Sequence, residues 1–162
     1  MQGNPKIIDL LNELLAEELS AADQYFVHAE MYKDWGLNKL FARIDHERED
    51  ELEHARTLIA RILFLGGKPN MAKRVPIVIV DDVPSMLKSD LDVEYRVAAA
   101  LKDVIAVCEQ ERDYITREQL MVLLEETEND HAHWLEQQIK LIDLVGVANY
   151  QQSQMAGDAS AS

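Results

Sequence analysis

The sequence predicts an all-α fold: two antiparallel helical hairpins joined by a long crossover into a four-helix bundle, followed by a short fifth helix. Three observations predict it. Four long segments carry apolar residues at spacings of three and four. Six glycines and four prolines in 162 residues gather at a few places between those segments. One of the links is long enough to run the whole length of a bundle.

The first segment runs from about Pro5 to Trp35. Asn4-Pro5 opens it, with proline near the first helical position, and Gly36 closes it. The second runs from about Asn38 to Leu65 and stops at Gly66-Gly67. The link between these two is tight, so they are predicted to be antiparallel neighbours. The third starts near Pro84-Ser85 and continues to about Arg112, and the fourth runs from about Thr116 to Val145, ending at Gly146. These two are close in the same way. Between the hairpins lies KPNMAKRVPIVIVDDVP, residues 68–84, whose VPIVIV core is β-branched and extended in character. Such a link reaches roughly 55 Å when extended, against about 39 Å for a 26-residue helix. A long crossover between two hairpins is one of the known four-helix arrangements. A fifth helix is predicted over about Val147–Met155. The domain therefore spans residues 1–155, and the small polar tail at 156–162 is expected to be disordered.

Composition excludes several classes of function. A formal charge of −14 repels phosphate, which argues against nucleic acid and is compatible with attracting cations. No stretch approaches the ~20 apolar residues of a membrane span. The N-terminal MQGNPKIIDL lacks the basic and apolar regions of a secretory signal. The single cysteine, Cys108, leaves no internal disulfide and no CxxC site, so a cytoplasmic location is expected.

The helical stripes carry the chemistry. The second reads Leu40, Ile44, Glu47, Glu51, His54, Leu58, Ile62, Leu65. The fourth reads Leu124, Glu128, His131, Leu135, Gln138, Ile142. Glu18 interrupts the first stripe and Glu94 the third. Every stripe is thus broken near its middle by a glutamate, and two of those glutamates have a histidine three residues later. Positions i and i+3 share a helix face, so each Glu-x-x-His can aim two ligands at one point. The spacing repeats between halves: Glu18 to Glu51 is 33 residues and Glu94 to Glu128 is 34. Four glutamates and two histidines suit a pair of iron or manganese ions, with no sulfur to favour softer metals. This ligand set is the one known for di-iron carboxylate bundles. Four buried carboxylates without partners would be costly, and two divalent cations would cancel their charge.

A lone Glu-x-x-His means little on an acidic helix. Two of them, matched to two further glutamates in apolar stripes, are a far stronger sign. Glu17, Glu49, Glu53 and Glu125 lie off the stripes and are expected in solvent. His28 reads as a packed or a surface histidine, and His133 as facing solvent or a subunit.

The chain resembles the bacterioferritins. The resemblance rests on DQYFVHAEMYKDWGL (23–37), the ligand set above, RILFLGGKPN (61–70), HWLEQQIKLI (133–142) and GVANYQQSQM (146–155), and it covers about residues 1–155. It implies a ferritin-like bundle assembled into a hollow shell of twenty-four subunits. It also implies a non-haem di-iron centre that oxidises Fe(II) with dioxygen or hydrogen peroxide, and storage of ferric mineral inside the shell. Glu18, Glu51, His54, Glu94, Glu128 and His131 match the family's ferroxidase ligands. Tyr25 matches a tyrosine close to that centre. His46 and Asp50 match an iron site on the inner shell surface, although as residues they read equally well as a surface ion pair. Glu47, one turn before Glu51, reads either as a group passing iron between centre and cavity or as a hydrated side chain. A ferredoxin-like reductant for iron release is a further expected partner.

The chain departs from the family at one position. Haem-carrying bacterioferritins place a methionine directly after the second-helix glutamate, and here that residue is Leu52. Leucine has no lone pair for iron. Either the shell is a haem-free homo-oligomer or it is mixed with a haem-binding sister subunit. Two competing functions remain at the level of sequence. One is a non-storing di-iron oxidase or peroxidase of the rubrerythrin type, which usually brings a cysteine-ligated iron module. The other is a subunit whose polar core only fixes helix register, for which one buried polar residue is enough.

Overall fold

The structure, a computed structural model, describes residues 1–156. The expectation of a disordered tail therefore falls almost wholly outside the described residues. Helix α1 covers Pro5–Asp34 and α2 covers Asn38–Phe64. Helix α3 covers Val83–Gln110 and α4 covers Tyr114–Glu126. A π-helical turn, Thr127–Ala132, joins α4 without a break to α5, His133–Val145. A short α6, Val147–Gln154, ends the described chain. No strand occurs among the described residues. Among the described residues no helix is long and apolar enough to cross a membrane.

The helix ends follow from local chemistry. Asn4 caps α1 by accepting from the Lys6 amide at 2.9 Å, and Pro5 needs no donor there. Gly36 takes φ +77 and lets the chain reverse, with Leu37 N–H donating to Tyr32 O at 2.9 Å. Asp82 caps α3 through the Ser85 amide, 2.9 Å away. Asp113 caps α4 by accepting from the Thr116 amide at 3.1 Å and its hydroxyl at 2.6 Å. Arg61 of α2 donates to the same Asp113, 3.2 Å away, which ties the two hairpins together at this end.

The crossover is extended, as VPIVIV suggests, and it lies along α1. Asn12 Oδ1 accepts from the Asn70 amide at 2.7 Å, Ser20 Oγ from the Val75 amide at 2.8 Å, and Gln24 Oε1 from the Val78 amide at 3.0 Å. These α1 side chains do for the strap what a neighbouring strand would do in a sheet. Ile77, Val78 and Ile79 keep exposed side chains.

The core has apolar layers on both sides of a polar middle. Leu11, Leu14, Leu58, Ile62 and Leu101 are fully buried, as are Tyr25, Leu40, Ile44 and Leu87. Each such side chain contributes roughly 1.5–3 kcal/mol through burial. These layers fix the four helices rigidly enough to hold charged groups between them.

Candidate metal centre

Each helix of the bundle delivers its mid-stripe polar residue to the same interior point. Glu18 comes from α1, Glu51 and His54 from α2, Glu94 from α3 and His131 from the π turn. All five are buried. Glu51 stands between two halves. One half joins Glu18, Glu51 and His54, and the other joins Glu51, Glu94 and His131; within each, one ligand atom per residue lies within 4.8 Å of the others.

The imidazoles turn Nδ1 inward. His54 Nδ1 lies 3.5 Å from Glu51 Oε2 and 3.6 Å from Glu18 Oε2. His131 Nδ1 lies 2.9 Å from Glu51 Oε1 and 3.5 Å from Glu94 Oε1. The two carboxylate oxygens of Glu51 thus serve the two halves separately, and the two rings stack 5.8 Å apart. The outer nitrogens meet other carboxylates. His54 Nε2 bonds Glu126 Oε2 at 3.0 Å. His131 Nε2 bonds Asp50 Oδ2 at 3.2 Å and lies 2.6 Å from Glu47 Oε2. A carboxylate on the outer nitrogen favours a proton there and leaves the inner lone pair for a metal.

The inward atoms are left without partners. Both oxygens of Glu18 and of Glu51, one of Glu94, and Nδ1 of both histidines are buried without a hydrogen-bond partner. Buried polar atoms are normally satisfied, so a convergent set of orphans calls for something between them. All are hard or borderline donors suited to iron or manganese. The residues present therefore fit a pair of such ions.

The protein's own charges respond to this crowding. Burial first, and then the Glu51 carboxylate, push the Glu18 carboxyl well up. Burial also raises Glu94. Glu51 goes the other way, because contacts with Glu18, His131 and His54 outweigh its own burial and Glu94. Burial opposes the charged form of His54, but Glu18 and Glu51 carry it up to about 11. His131 is raised further, against its burial, by Asp50, Glu47, Glu51 and Glu94. Tyr25 is held protonated by burial and by Glu94 and donates to Glu94 Oε1.

The sixth predicted ligand, Glu128, is not brought into this cluster. Its side chain is 41% exposed and pairs with Lys102 on the α3 flank. The cause is the π turn. The stripe Leu124, Glu128, His131 assumes an unbroken α-helical phase. A π turn rotates less per residue, by about 18°, so three steps from His131 swing Glu128 outward by roughly 55°. Its neighbour Thr127 is fully buried instead, with its hydroxyl donating to Leu123 O at 2.8 Å.

Other predicted residues fall in varied places. Glu47 is not hydrated but buried, held between His131 and Arg43. His46 and Asp50 approach to 3.5 Å, and Asp50 also belongs to a group with Glu47, Asp130 and His131. Leu52 is 43% exposed on the outer side of α2. Glu49, Glu53 and Glu125 are exposed as expected, whereas Glu17 is partly covered and accepts from Arg96 at 2.8 Å. His133 is exposed.

Sequence reasoning missed two features. Glu126, off the stripe, reaches His54. His28 is fully buried and paired with Asp90 at 2.8 Å, and Asp90 also accepts from Gln24 at 2.8 Å. Asp90 stands one turn before Glu94 on the same face, which is the signal that could have found it.

A helical bundle that turns buried carboxylates and imidazoles toward one point is a protein positioned to hold metal in its core. Residues 8–145 match the family model of the ferritin-like domain. The chain is 53% identical over 156 residues to a bacterial ferritin of Synechocystis sp., covering 96% of this chain and 100% of that one. It is 57% identical over 159 residues to a bacterial ferritin of Paramagnetospirillum magnetotacticum, covering 98% and 96%. It is also 36% identical over 150 residues to a bacterioferritin of Mycobacterium avium, covering 93% and 94%. The chain belongs to the ferritin-like family, within its bacterial ferritin branch.

Proposed function

We propose that this protein stores iron and is a ferroxidase, oxidising Fe(II) at a di-iron centre inside each subunit and keeping the ferric product in a multi-subunit shell. The family membership carries storage. One observation carries the ferroxidase centre: two buried Glu–His halves sharing Glu51, with their unpartnered atoms aimed at each other.

Glu18 and His54 would hold one iron, Glu94 and His131 the other, and Glu51 would span both. When bound, the pair supplies two one-electron donors side by side, matched to a two-electron oxidant such as dioxygen or hydrogen peroxide. The chain's residues do the rest. The three buried carboxylates of Glu18, Glu51 and Glu94 favour cations over neutral species. Glu126, Asp50 and Glu47 orient the two imidazoles from behind. Tyr25 fixes one oxygen of Glu94, and so its direction. The apolar layers above and below exclude bulk water. Asp50, Glu47 and Asp130 form a carboxylate path from the surface to the outer face of His131, which supports the reading that iron passes this way. Leu52 offers haem no axial ligand, so haem in an assembly comes through another subunit. A cytoplasmic setting and a ferredoxin-like reductant for release complete the proposal.

Nothing favours a non-storing oxidase over this reading. Glu51→Ala would remove the ligand the two halves share, and His131→Ala would remove the imidazole of one half. Rapid Fe(II) oxidation is expected to fall at least 10-fold in each, with the helical circular dichroism kept. Wild-type rates in both variants would contradict the centre.

A further inference from the structure

We propose that the π turn Thr127–Ala132 is a register switch for the sixth ligand, with Lys102 as the positioning residue that holds Glu128 on the flank. The inference rests on the di-iron reading above and deepens it.

Four observations carry it. First, the turn buries Thr127 fully while its neighbour Glu128 is turned aside to the surface. Second, the turn has a local cause. The Thr127 hydroxyl bonds Leu123 O, four residues back, which is a known way to distort a helix. Third, Glu128 is held out by a single exposed ion pair with Lys102, whose side chain is 58% exposed. Such pairs are weak and easily given up. Fourth, Glu128 is not locked in place by packing. It lines an open surface hollow together with Lys102, Tyr95 and Glu136, whose floor includes Ala98 and Ala132.

The alternative register follows from helix geometry. If the wide turn migrates toward α4, residues 128–131 regain α-helical phase. Glu128 then rotates back toward the His131 face, and Thr127 moves off it. The interior would gain a fourth carboxylate between Glu51 and Glu94, in place of a hydroxyl that already spends its proton on Leu123 O. Cations in the two halves bind this register better than the one with Thr127 inside, so they shift the balance toward it. Lys102 sets that balance through its grip on Glu128.

Co(II) titration of the native assembly tests this, read by the visible bands of the bound ion and by stoichiometry. The wild type is expected to take two Co(II) per chain. Lys102→Gln is expected to tighten the weaker step about two- to five-fold, within what an exposed ion pair can withhold. Lys102→Arg is expected to match the wild type, because it can keep the pair. Glu128→Gln is expected to weaken one step at least 10-fold and to change the bands of that ion. Wild-type titrations for Lys102→Gln would overturn the latch. Wild-type bands and affinity in Glu128→Gln would overturn the switch. A wild type that fails to take two ions would instead overturn the di-metal reading itself.

Discussion

Glu18 shows most clearly what these residues give up in stability. It is fully buried, neither oxygen has a hydrogen-bond partner, and its neighbour Glu51 is also acidic. A side chain of the same shape without ionisable oxygens relieves that conflict. Glu18→Gln is therefore expected to raise the melting temperature of chelator-treated protein and to lower its metal content. Chelator-treated Glu18→Gln melting below chelator-treated wild type would contradict this account of Glu18. Tyr25 argues in the other direction. Its hydroxyl donates to Glu94, and its loss leaves a buried oxygen with one donor fewer. Tyr25→Phe is expected to cost about 1 kcal/mol in denaturant unfolding. The buried positions of Glu18, Glu51, His54, Glu94 and His131 were legible in the sequence, because a polar group inside a bundle must break an apolar stripe. His28–Asp90 was not legible as a pair. The two residues meet across helices α1 and α3, and no spacing within either helix announces the partner.

At the level of elements, the helix boundaries follow signals that are local and strong. Asn4-Pro5, Gly36, Gly66, Asp82-Val-Pro84 and Gly146 mark ends that fall within a few residues of the predicted ones. The fourth helix departs from prediction in its middle, where the π turn shifts the phase between Leu124 and His131. Spacing of three and four presumes one uniform helix, and a turn that gains one residue leaves the pattern unchanged on paper while rotating Glu128 away. Caps are also where pH acts on these elements. The Asp113 carboxyl lies below its ordinary value despite partial burial, because Thr116 and Arg61 stabilise its charged form. A depressed carboxyl contributes stability above its unfolded value, near 3.8, and loses it as pH falls through the lower folded value. Asp113→Ala is accordingly expected to cost about 1 kcal/mol at pH 7. The gap from wild type should shrink in acid, below the Asp range. A gap independent of pH would show that Asp113 acts by shape alone.

For the whole molecule, the surface is as informative as the core. Leu63, Phe64, Leu144 and Val145 are exposed large apolar residues near the bundle ends, and Phe26, Val27 and Leu52 are exposed along the first hairpin. Scattered residues of this kind are ordinary on a monomer, but in a family that assembles shells they are the natural places for neighbouring copies. Native mass is expected at hundreds of kilodaltons, and a monomer or dimer would contradict storage. The central claim is narrower than assembly: each chain holds a pair of irons and oxidises them together. The most direct measurement adds Fe(II) to the metal-free native assembly in steps, admits oxygen, and follows the fast phase of oxidation. The account predicts that the fast phase saturates at two Fe(II) per chain. Saturation at one, or no fast phase at all, would contradict it.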